Sequence, residues 1–562
     1  MLNIPAITEL ALITAMYWVV DRVIHGDGYH RLLSRFANSS TSLLLWCIPW
    51  TILSIFCPWS SLPQGDAIRV VAMTISIMLA WKATTADIDI VVGEAHAPQR
   101  LLLLASVIAT WFSPAPLLIN LYLLTRPFAV WEHHATLPMR VLQSISSFAL
   151  LAGTTPMISG ETELFQTSRV LFFFLVTMQV AHYLMTALAK MWLGPRWYSW
   201  VTDNRVHHLA ATAYSWGWAR FIPWPWWRRL IGIIKVFEKP MQAYAFTIEL
   251  LSPLALLHVY AGIGFSIAWA SFHVGVFSVS GLLFWEWIGT NLVIAAALWM
   301  LPQNVATQIF GGGSLLIAAI FMILFPLRHK LYKPMPLGWW DTPFTQRMHW
   351  RVLGESGTMY GVYNNFMCPH ERLFGKVHAC FLAPAKGITY HLGEVWKHDL
   401  RDAIRAAGPN PDKLDEVRDR FGVEPRDEKM AANHVAYLKR FFDAVNRQHP
   451  KQVLPKWLRW LKAPGDQLFY WGELPPYSGQ EPVTQVTLLY REEYFDGETL
   501  QRLRDEVILT IDIDDTCAAI ECIPEPTPKE IDDLLLSVAN GKIIDLPEFG
   551  GGYIHGDDGK IQ

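Results

Sequence analysis

Two ionisable residues at the ends of apolar stretches are the first candidates for chemistry in this chain. Lys190 closes the run VLFFFLVTMQVAHYLMTALAK, and His134 stands in AVWEHHATLP, just before another apolar segment. An amine held partly out of water loses proton affinity and can act as a base near neutral pH. An imidazole is the side chain best suited to move protons at that pH. On spacing alone, however, a lysine that ends a span and extends its amine back to the interface is the favoured interpretation of Lys190.

Further ionisable residues lie within apolar segments, where charge is costly and a functional role is the default hypothesis. Several of them could equally be structural. Each would then pair with a neighbouring side chain or extend its polar end to the membrane–water interface. They are Glu9, Asp21, Lys82, His133, His182, Glu249, His258, His273 and Glu286.

The sequence lacks the motifs of metal sites, hydrolase nucleophiles and phosphate-binding loops. His133-His134 and His207-His208 are bare pairs without the outlying histidines of a di-iron site, and Cys368, His370 and His378 make only a weak metal pattern. The sequence contains no GxSxG, GxxxxGK[ST] or HExxH motif. We therefore predict no metal site.

The composition indicates an integral membrane protein. Hydrophobic residues make up 52% of the 562 residues and charged residues 17%, against about 25% charged in a typical soluble domain. A net charge of −3 gives no reason to expect a nucleic-acid partner. We predict eight or nine membrane spans of about 20 residues each. The candidate spans are 5–24, 41–60, 68–85, 99–113, 115–130, 136–155, 166–193, 243–264, 266–299 and 305–327.

Beyond residue 330 the charge density rises and apolar spans disappear. The predicted organisation is a polytopic α-helical membrane bundle over 1–330, followed by a soluble mixed α/β domain over 331–562. Alternating apolar residues predict strands in that domain, and helical spacing predicts helices. The predicted strands are 375–383, 387–392 and 483–491, and the predicted helices are 396–407, 411–420, 428–447 and 497–506.

Two segments, taken together, resemble the vitamin K-dependent gamma-glutamyl carboxylases and their bacterial relatives, the horizontally transferred transmembrane domain proteins. The first is Trp131-Glu132-His133-His134 at the head of a helix, where His134 takes the position of the family's functional histidine. The second runs from Tyr183 to Lys190, which takes the position of the catalytic lysine, with Trp197 following. These features follow the family's order across roughly residues 100–300.

Two weaker matches extend the resemblance. Ser271-Phe272-His273 is similar to the aromatic-histidine start of a later family helix, and Glu249 to an acidic residue on the helix before it. The resemblance implies that Lys190 and His134 are catalytic and that Trp131, His273 and Glu249 bind the cofactor.

The resemblance also implies a chemistry. A reduced naphthoquinone, of the vitamin K or menaquinone type, reacts with oxygen to generate a strong base, which removes a proton from an acidic substrate such as a peptide, and carbon dioxide adds. Such a base needs a dry pocket, which a lipid-embedded bundle would supply. We therefore expect a multi-pass membrane protein, in a bacterial cell membrane, with lipids and a lipid-soluble quinone as partners. The alternative is a protein on the same scaffold that binds or transports a lipid or lipophile without covalent chemistry.

Overall fold

The structure is a computed structural model. It describes residues 4–25, 58–87, 96–125, 128, 135–159, 165, 167–310, 312–327, 334, 337–363, 382, 384–422, 428–447, 452–465, 468–470 and 473–514.

Helices dominate the described chain up to residue 327. In chain order they are α1 (Ile4–His25), α2 (Gly65–Thr85), α3 (Ala97–Thr110), α4 (Leu117–Thr125), α5 (Thr136–Ser159), α6 (Arg169–Trp192), α7 (Ser199–Asp203), α8 (Val206–Ser215), α9 (Trp224–Leu250), α10 (Val259–Ser280), α11 (Trp285–Met300), α12 (Gln303–Ile309) and α13 (Gly313–Leu327).

Helix α6 is the centre of the bundle. Its residues are mostly apolar, and nearly all of them are buried. A helix buried on nearly every side needs neighbours all round, and α1, α5, α9, α12 and α13 supply them. The helix ends at Trp192, two residues before Gly194-Pro195, because proline cannot continue it. This position places Lys190 in the last turn of a rigid central element.

Three described helices, α2, α6 and α10, are long and apolar enough to cross a membrane, and the bent pair α12 and α13 would make a fourth. The prediction of eight or nine spans is therefore too high for the part of the chain that the structure describes. Helices α3 and α4 are too short, at 14 and 9 residues, for a bilayer that takes about 20. Most of the predicted span 41–60 lies outside the described residues.

Two predicted spans have wrong boundaries. The segment 243–264 contains the end of α9, a 3-10 helix at Ser252–Leu256 and the start of α10, because Pro253 interrupts the helix. The segment 266–299 is split between α10 and α11 at Gly281, which has a φ of 76°. A Cβ on Gly281 would also lie 2.8 Å from the Trp218 ring. Only glycine adopts this turn without strain.

The C-terminal part is mixed α/β, as predicted. Its elements are β1 (Trp340–Asp341), β2 (Phe344–Gly354), β3 (Met359–Val362), β4 (Glu394–Val395), α14 (His398–Ala407), α15 (Pro411–Phe421), α16 (Glu428–Arg447), β5 (Val483–Phe495) and β6 (Leu500–Asp512). The antiparallel order is β3-β2-β5-β6 in one sheet and β1-β4 in the other.

The individual predictions in this part have mixed outcomes. The strand at 483–491 and the helices at 396–407, 411–420 and 428–447 are confirmed by β5, α14, α15 and α16. The predicted helix 497–506 is wrong, because this segment pairs with β5 as the edge strand β6. The predicted strand 387–392 is also wrong, since it ends in a 3-10 helix at His391–Gly393. The strand predicted at 375–383 lies almost wholly outside the described residues.

The C-terminal part packs directly on the helical bundle. Ala187 and Leu193 share one buried apolar cluster with Trp340, Phe344 and Ile404. The boundary predicted at 330/331 falls outside the described residues. Because the bundle and the C-terminal part share a core, the end of α6 is enclosed by both.

Candidate functional site

Lys190 and Glu249 form a buried ion pair between α6 and α9. The Nζ atom of Lys190 donates to both carboxylate oxygens of Glu249, at 2.7 and 2.6 Å. Lys190 is 5% exposed and Glu249 is fully buried. In a low-dielectric interior, such a pair holds together because neither charge is solvated. The pair therefore fixes the position of an amine at the end of the central helix.

A short segment of the C-terminal part covers this amine. A Cβ atom on Gly338 would lie 3.0 Å from the backbone nitrogen of Lys190, so the two backbones are in close contact. The indole of Trp200 donates to the carbonyl of Trp339 at 2.9 Å, and the Lys190 Nζ lies 4.4 Å from the centre of the Trp200 ring. A cation over an indole face is a favourable arrangement. Residues 337–341, here called the cover segment, thus separate Lys190 from solvent.

Asp341, at the end of the cover segment, adds a second buried carboxyl group near Lys190. Its side chain accepts hydrogen bonds from Asn204 Nδ2 at 2.7 Å and from Trp339 Nε1 at 3.1 Å. Burial raises the pKa of Asp341 to about 7, and the hydrogen bond from Asn204 and the charges of Arg405 and Lys190 act in the opposite direction. A carboxyl group with such a pKa exchanges protons near neutral pH.

A chain of buried polar side chains crosses the bundle beside this pair. Gln179 Nε2 donates to Asn291 Oδ1 at 2.7 Å, and Asn291 Nδ2 donates to the Tyr183 hydroxyl at 2.7 Å. The hydroxyl proton of Tyr183 can then be donated to His273 Nε2, 2.9 Å away. Amides and hydroxyls linked in one direction polarise each other, which strengthens the chain. His273 therefore has a defined proton donor on the central helix.

The polar chain and the ion pair lie on one face of α6. Tyr183 and Lys190 are seven residues apart, which is two helical turns or about 10 Å. Phe272 links the two groups, since its ring lies 5.7 Å from the Lys190 Nζ and 5.3 Å from the ring of His273. The predicted site residues Lys190, Glu249 and His273 are thus brought into one region between α6, α9 and α10.

Aromatic rings surround the His273 end of this region. Tyr183 stacks on Trp269, with ring centres 4.4 Å apart and planes 9° from parallel. The Trp287 ring lies 5.9 Å from Tyr183 and 5.4 Å from His273. The indole Nε1 of Trp287 is buried and has no acceptor among the described residues. A buried donor left without an acceptor costs about 1–3 kcal/mol, so this position favours a ligand or a water with an acceptor oxygen.

A second buried lysine–glutamate pair joins two other helices of the bundle. Lys82 Nζ donates to Glu286 Oε1 at 2.8 Å, between α2 and α11. Next to it, the rings of Trp81 and Trp285 meet edge to face. This pair provides a natural comparison for Lys190 and Glu249.

Not every predicted site residue can be placed. Trp131 and His134 lie outside the described residues, so the predicted meeting of Lys190 and His134 stays a prediction. The prediction that Ser271-Phe272-His273 opens a helix is wrong, because these residues lie well inside α10. His273 consequently projects from mid-helix toward α6 and bonds Tyr183.

The sequence pattern assigns no role to four residues of the site, although one of them, Tyr183, begins the segment that resembles the family. The four are Tyr183, Asn291, Trp269 and Trp287. The available signals are the seven-residue spacing of Tyr183 and Lys190 and the isolated amide of Asn291 in the apolar helix α11. A polar residue in such a helix demands a partner.

No protein-family model, no curated protein and no solved structure matches this chain. The geometry of the site is therefore the basis for any functional conclusion.

Proposed function

We propose that this protein is a membrane enzyme similar to the vitamin K-dependent carboxylases, which uses a reduced naphthoquinone and oxygen to act on a peptide or other acidic substrate. The observation that carries the proposal is the buried Lys190–Glu249 pair beside the Tyr183–His273 hydrogen bond. Lys190, Glu249 and His273 each resemble a residue of one family site. They come from separate parts of the chain and lie together between α6, α9 and α10.

The ion pair offers a way to present a neutral amine without water. Moving one proton from Lys190 Nζ to Glu249 across their 2.6 Å hydrogen bond converts two charges into a neutral amine and a carboxylic acid. Both groups are buried and joined directly by this hydrogen bond, so the transfer would need no water molecule. Lys190 would then be the base, and Glu249 would hold its proton for return.

The residues beside His273 suit a quinone. A flat bicyclic ring with two oxygens needs aromatic faces and hydrogen-bond donors, which are the chemical groups found here. Trp287 Nε1 is a buried donor with no acceptor among the described residues, and Tyr183 and Trp269 are the aromatic pair next to it. When bound, the reduced naphthoquinone would supply the electrons that activate oxygen. Tyr183 and His273 would hold and move a proton at its hydroxyl oxygen.

Exclusion of water is the third requirement, because a strong base is quenched by solvent. The cover segment and the Trp200 ring lie over Lys190, and the bundle encloses it from below. In this proposal the C-terminal part protects the site and presents the acidic substrate to it. Asp341 would accept or deliver protons at the edge of the site.

The proposed location is a multi-pass position in a bacterial cell membrane. Helices α2, α6 and α10 support membrane insertion by their length and composition. Membrane lipids and a lipid-soluble quinone would be the partners, and carbon dioxide would be the second gaseous substrate. We expect no nucleic-acid partner.

One observation favours the alternative, a protein that binds or transports a lipophile without covalent chemistry. The Lys190 amine already donates to both oxygens of Glu249, which is the arrangement of a structural clamp between α6 and α9. In that case the aromatic region near His273 would bind a lipophile, and Lys190 would only join two helices.

The deciding experiment measures quinone epoxide. Purified protein in nanodiscs is supplied with reduced menaquinone and oxygen, and the quinone products are separated by chromatography. We expect epoxide from the wild type and a loss of about 100-fold or more in Lys190→Ala, which is the usual size of acid-base catalysis. The matched control is Lys82→Met with Glu286→Leu, which removes the other buried pair and should retain activity per folded protein.

Two outcomes would decide against the enzyme. Lys190→Ala protein that forms epoxide at the wild-type rate removes this mechanism. Wild-type protein that forms no epoxide, yet shows saturable quenching of tryptophan fluorescence by menaquinone, supports the binding or transport alternative.

A further inference from the structure

The segment Lys456–Leu461 exposes two large aromatic side chains on one side. It is a single 3-10 helix, KWLRWL, with no buried residue. Trp457 is 74% exposed and Trp460 is 77% exposed. Residues three apart project in the same direction from a 3-10 helix, so the two indoles form one apolar patch. Water-soluble surfaces seldom expose tryptophans in this way, whereas membrane interfaces are enriched in them.

Four hydrogen bonds hold this segment and the residues on either side of it against the end of α2 and against Asp87, two residues beyond that end. The Trp81 indole donates to the carbonyl of Leu461 at 2.7 Å, and the backbone nitrogen of Ala463 donates to Thr85 Oγ1 at 3.0 Å. Asp87 accepts from the backbone nitrogen of Val453 at 3.0 Å and from Lys462 Nζ at 3.1 Å. These hydrogen bonds fix the position of the segment along the axis of α2, beside its last turn.

The length of α2 sets that position relative to a bilayer. Its 21 residues, at 1.5 Å each, span about 31 Å, which equals the thickness of a hydrocarbon core. If α2 crosses the membrane, Thr85 lies at one boundary of that core. Leu461, which accepts from Trp81 of α2, directly follows Trp460 and lies four residues beyond Trp457, so the two indoles would then lie in the layer of lipid head groups.

We propose that Lys456–Leu461 is a membrane foot, through which the C-terminal part inserts Trp457 and Trp460 into the head-group layer of the bilayer that holds α2. Indoles suit this layer because one edge is apolar and the N–H can be hydrated. The foot would add a contact with lipid to the protein contacts that hold the C-terminal part on the bundle. This inference rests on the membrane position in the proposed function, but not on its chemistry.

Photo-crosslinking tests the foot. Benzoylphenylalanine replaces Trp457 or Trp460 in full-length protein, which is reconstituted into vesicles of phosphatidylcholine and phosphatidylglycerol containing labelled lipid. Val507, on the edge strand β6 of the C-terminal sheet and 59% exposed, is the control for a large exposed apolar residue outside the foot. Ile267, in the middle of α10 and 51% exposed, is the control for direct lipid contact.

We expect lipid adducts at positions 457, 460 and 267, each several-fold above position 507. Adducts at 267 with only background at 457 and 460 would overturn the foot while leaving the membrane position intact. Background at all four positions would overturn the foot and the membrane position together.

Discussion

Lys190 and Glu249 are 59 residues apart in the chain, yet the lysine amine donates to both oxygens of the carboxylate inside the bundle. The pair joins the central helix α6 to the last turn of α9, directly beneath the cover segment. The proposed proton transfer depends on this contact, and so does the first prediction about stability.

Breaking the pair from one side should destabilise the protein strongly. Lys190→Met or Glu249→Leu alone leaves an uncompensated buried charge and should cost about 3–5 kcal/mol of unfolding free energy. The double variant removes both charges and should recover most of that loss. Chemical denaturation in detergent, analysed as a double-mutant cycle, measures the coupling. Additive single and double effects would show that the two residues do not interact.

The buried hydroxyl of Tyr183 should contribute more to the free energy of unfolding than an exposed tyrosine hydroxyl does. Tyr183→Phe removes the acceptor for Asn291 and the partner of His273, both buried, and should cost about 1–3 kcal/mol. Tyr260→Phe is the matched control, since Gln303 Nε2 donates to the exposed Tyr260 hydroxyl at 3.0 Å at the very start of α10, where water can replace it, and we expect a change within about 0.5 kcal/mol. Equal melting temperatures for the two variants would contradict the buried chain.

A methyl group at Gly338 should loosen the cover segment. Its Cβ would lie 3.0 Å from Lys190 N and 3.1 Å from Ala189 Cβ, which is closer than ordinary packing, and overpacking costs about 1–3 kcal/mol. Hydrogen exchange should increase in residues 337–341 and in the last turn of α6. Gly232→Ala, in an open position on α9, should leave exchange unchanged and slightly stabilise the helix. Unaltered exchange in Gly338→Ala would mean that the contact is not tight.

The stability of the protein should fall as the pH rises through the range set by Asp341. Burial raises the folded-state pKa of this carboxyl group to about 7 from 3.8, so the folded protein retains the proton at higher pH than the unfolded chain does. This contribution is fully present below a pH of about 4 and is lost as the pH rises to about 7, with a slope of at most about 1.4 kcal/mol per unit.

Asp341→Asn, which cannot ionise, should lack that part of the pH dependence. Comparing melting temperatures of wild type and variant between pH 4 and pH 8 isolates this carboxyl group from the others. Parallel curves for the two proteins would contradict a raised pKa for Asp341.

The sequence was informative wherever a residue's chemistry conflicted with its surroundings. Lys190 and Glu249 are both charges in apolar segments, where a functional role is the default hypothesis, and in the structure they are partners. Long helices with clear periodicity, such as α16, could also be predicted. The segment 497–506 could not, because its polar edge-strand residues have helical spacing, and only pairing with β5 makes them a strand.

The described chain has fewer spans than hydropathy predicts because several apolar segments form helices that are too short or are interrupted. Helix α11 is apolar, but at 16 residues it is too short to count among the described spans, and α3 is shorter still. Gly281 divides one long apolar stretch into two helices through a left-handed turn that hydropathy does not register. The polar chain from Gln179 to His273 was equally hidden, since it depends on how three helices are rotated against each other.

The most direct test of the account is the rate of quinone epoxide formation by Glu249→Gln protein supplied with reduced menaquinone and oxygen. Glutamine retains the shape of the side chain but cannot take the proton from Lys190. We predict that the rate per folded protein is lower than that of the wild type by about 100-fold or more. A Glu249→Gln protein as fast as the wild type would contradict the central claim that this pair transfers the proton.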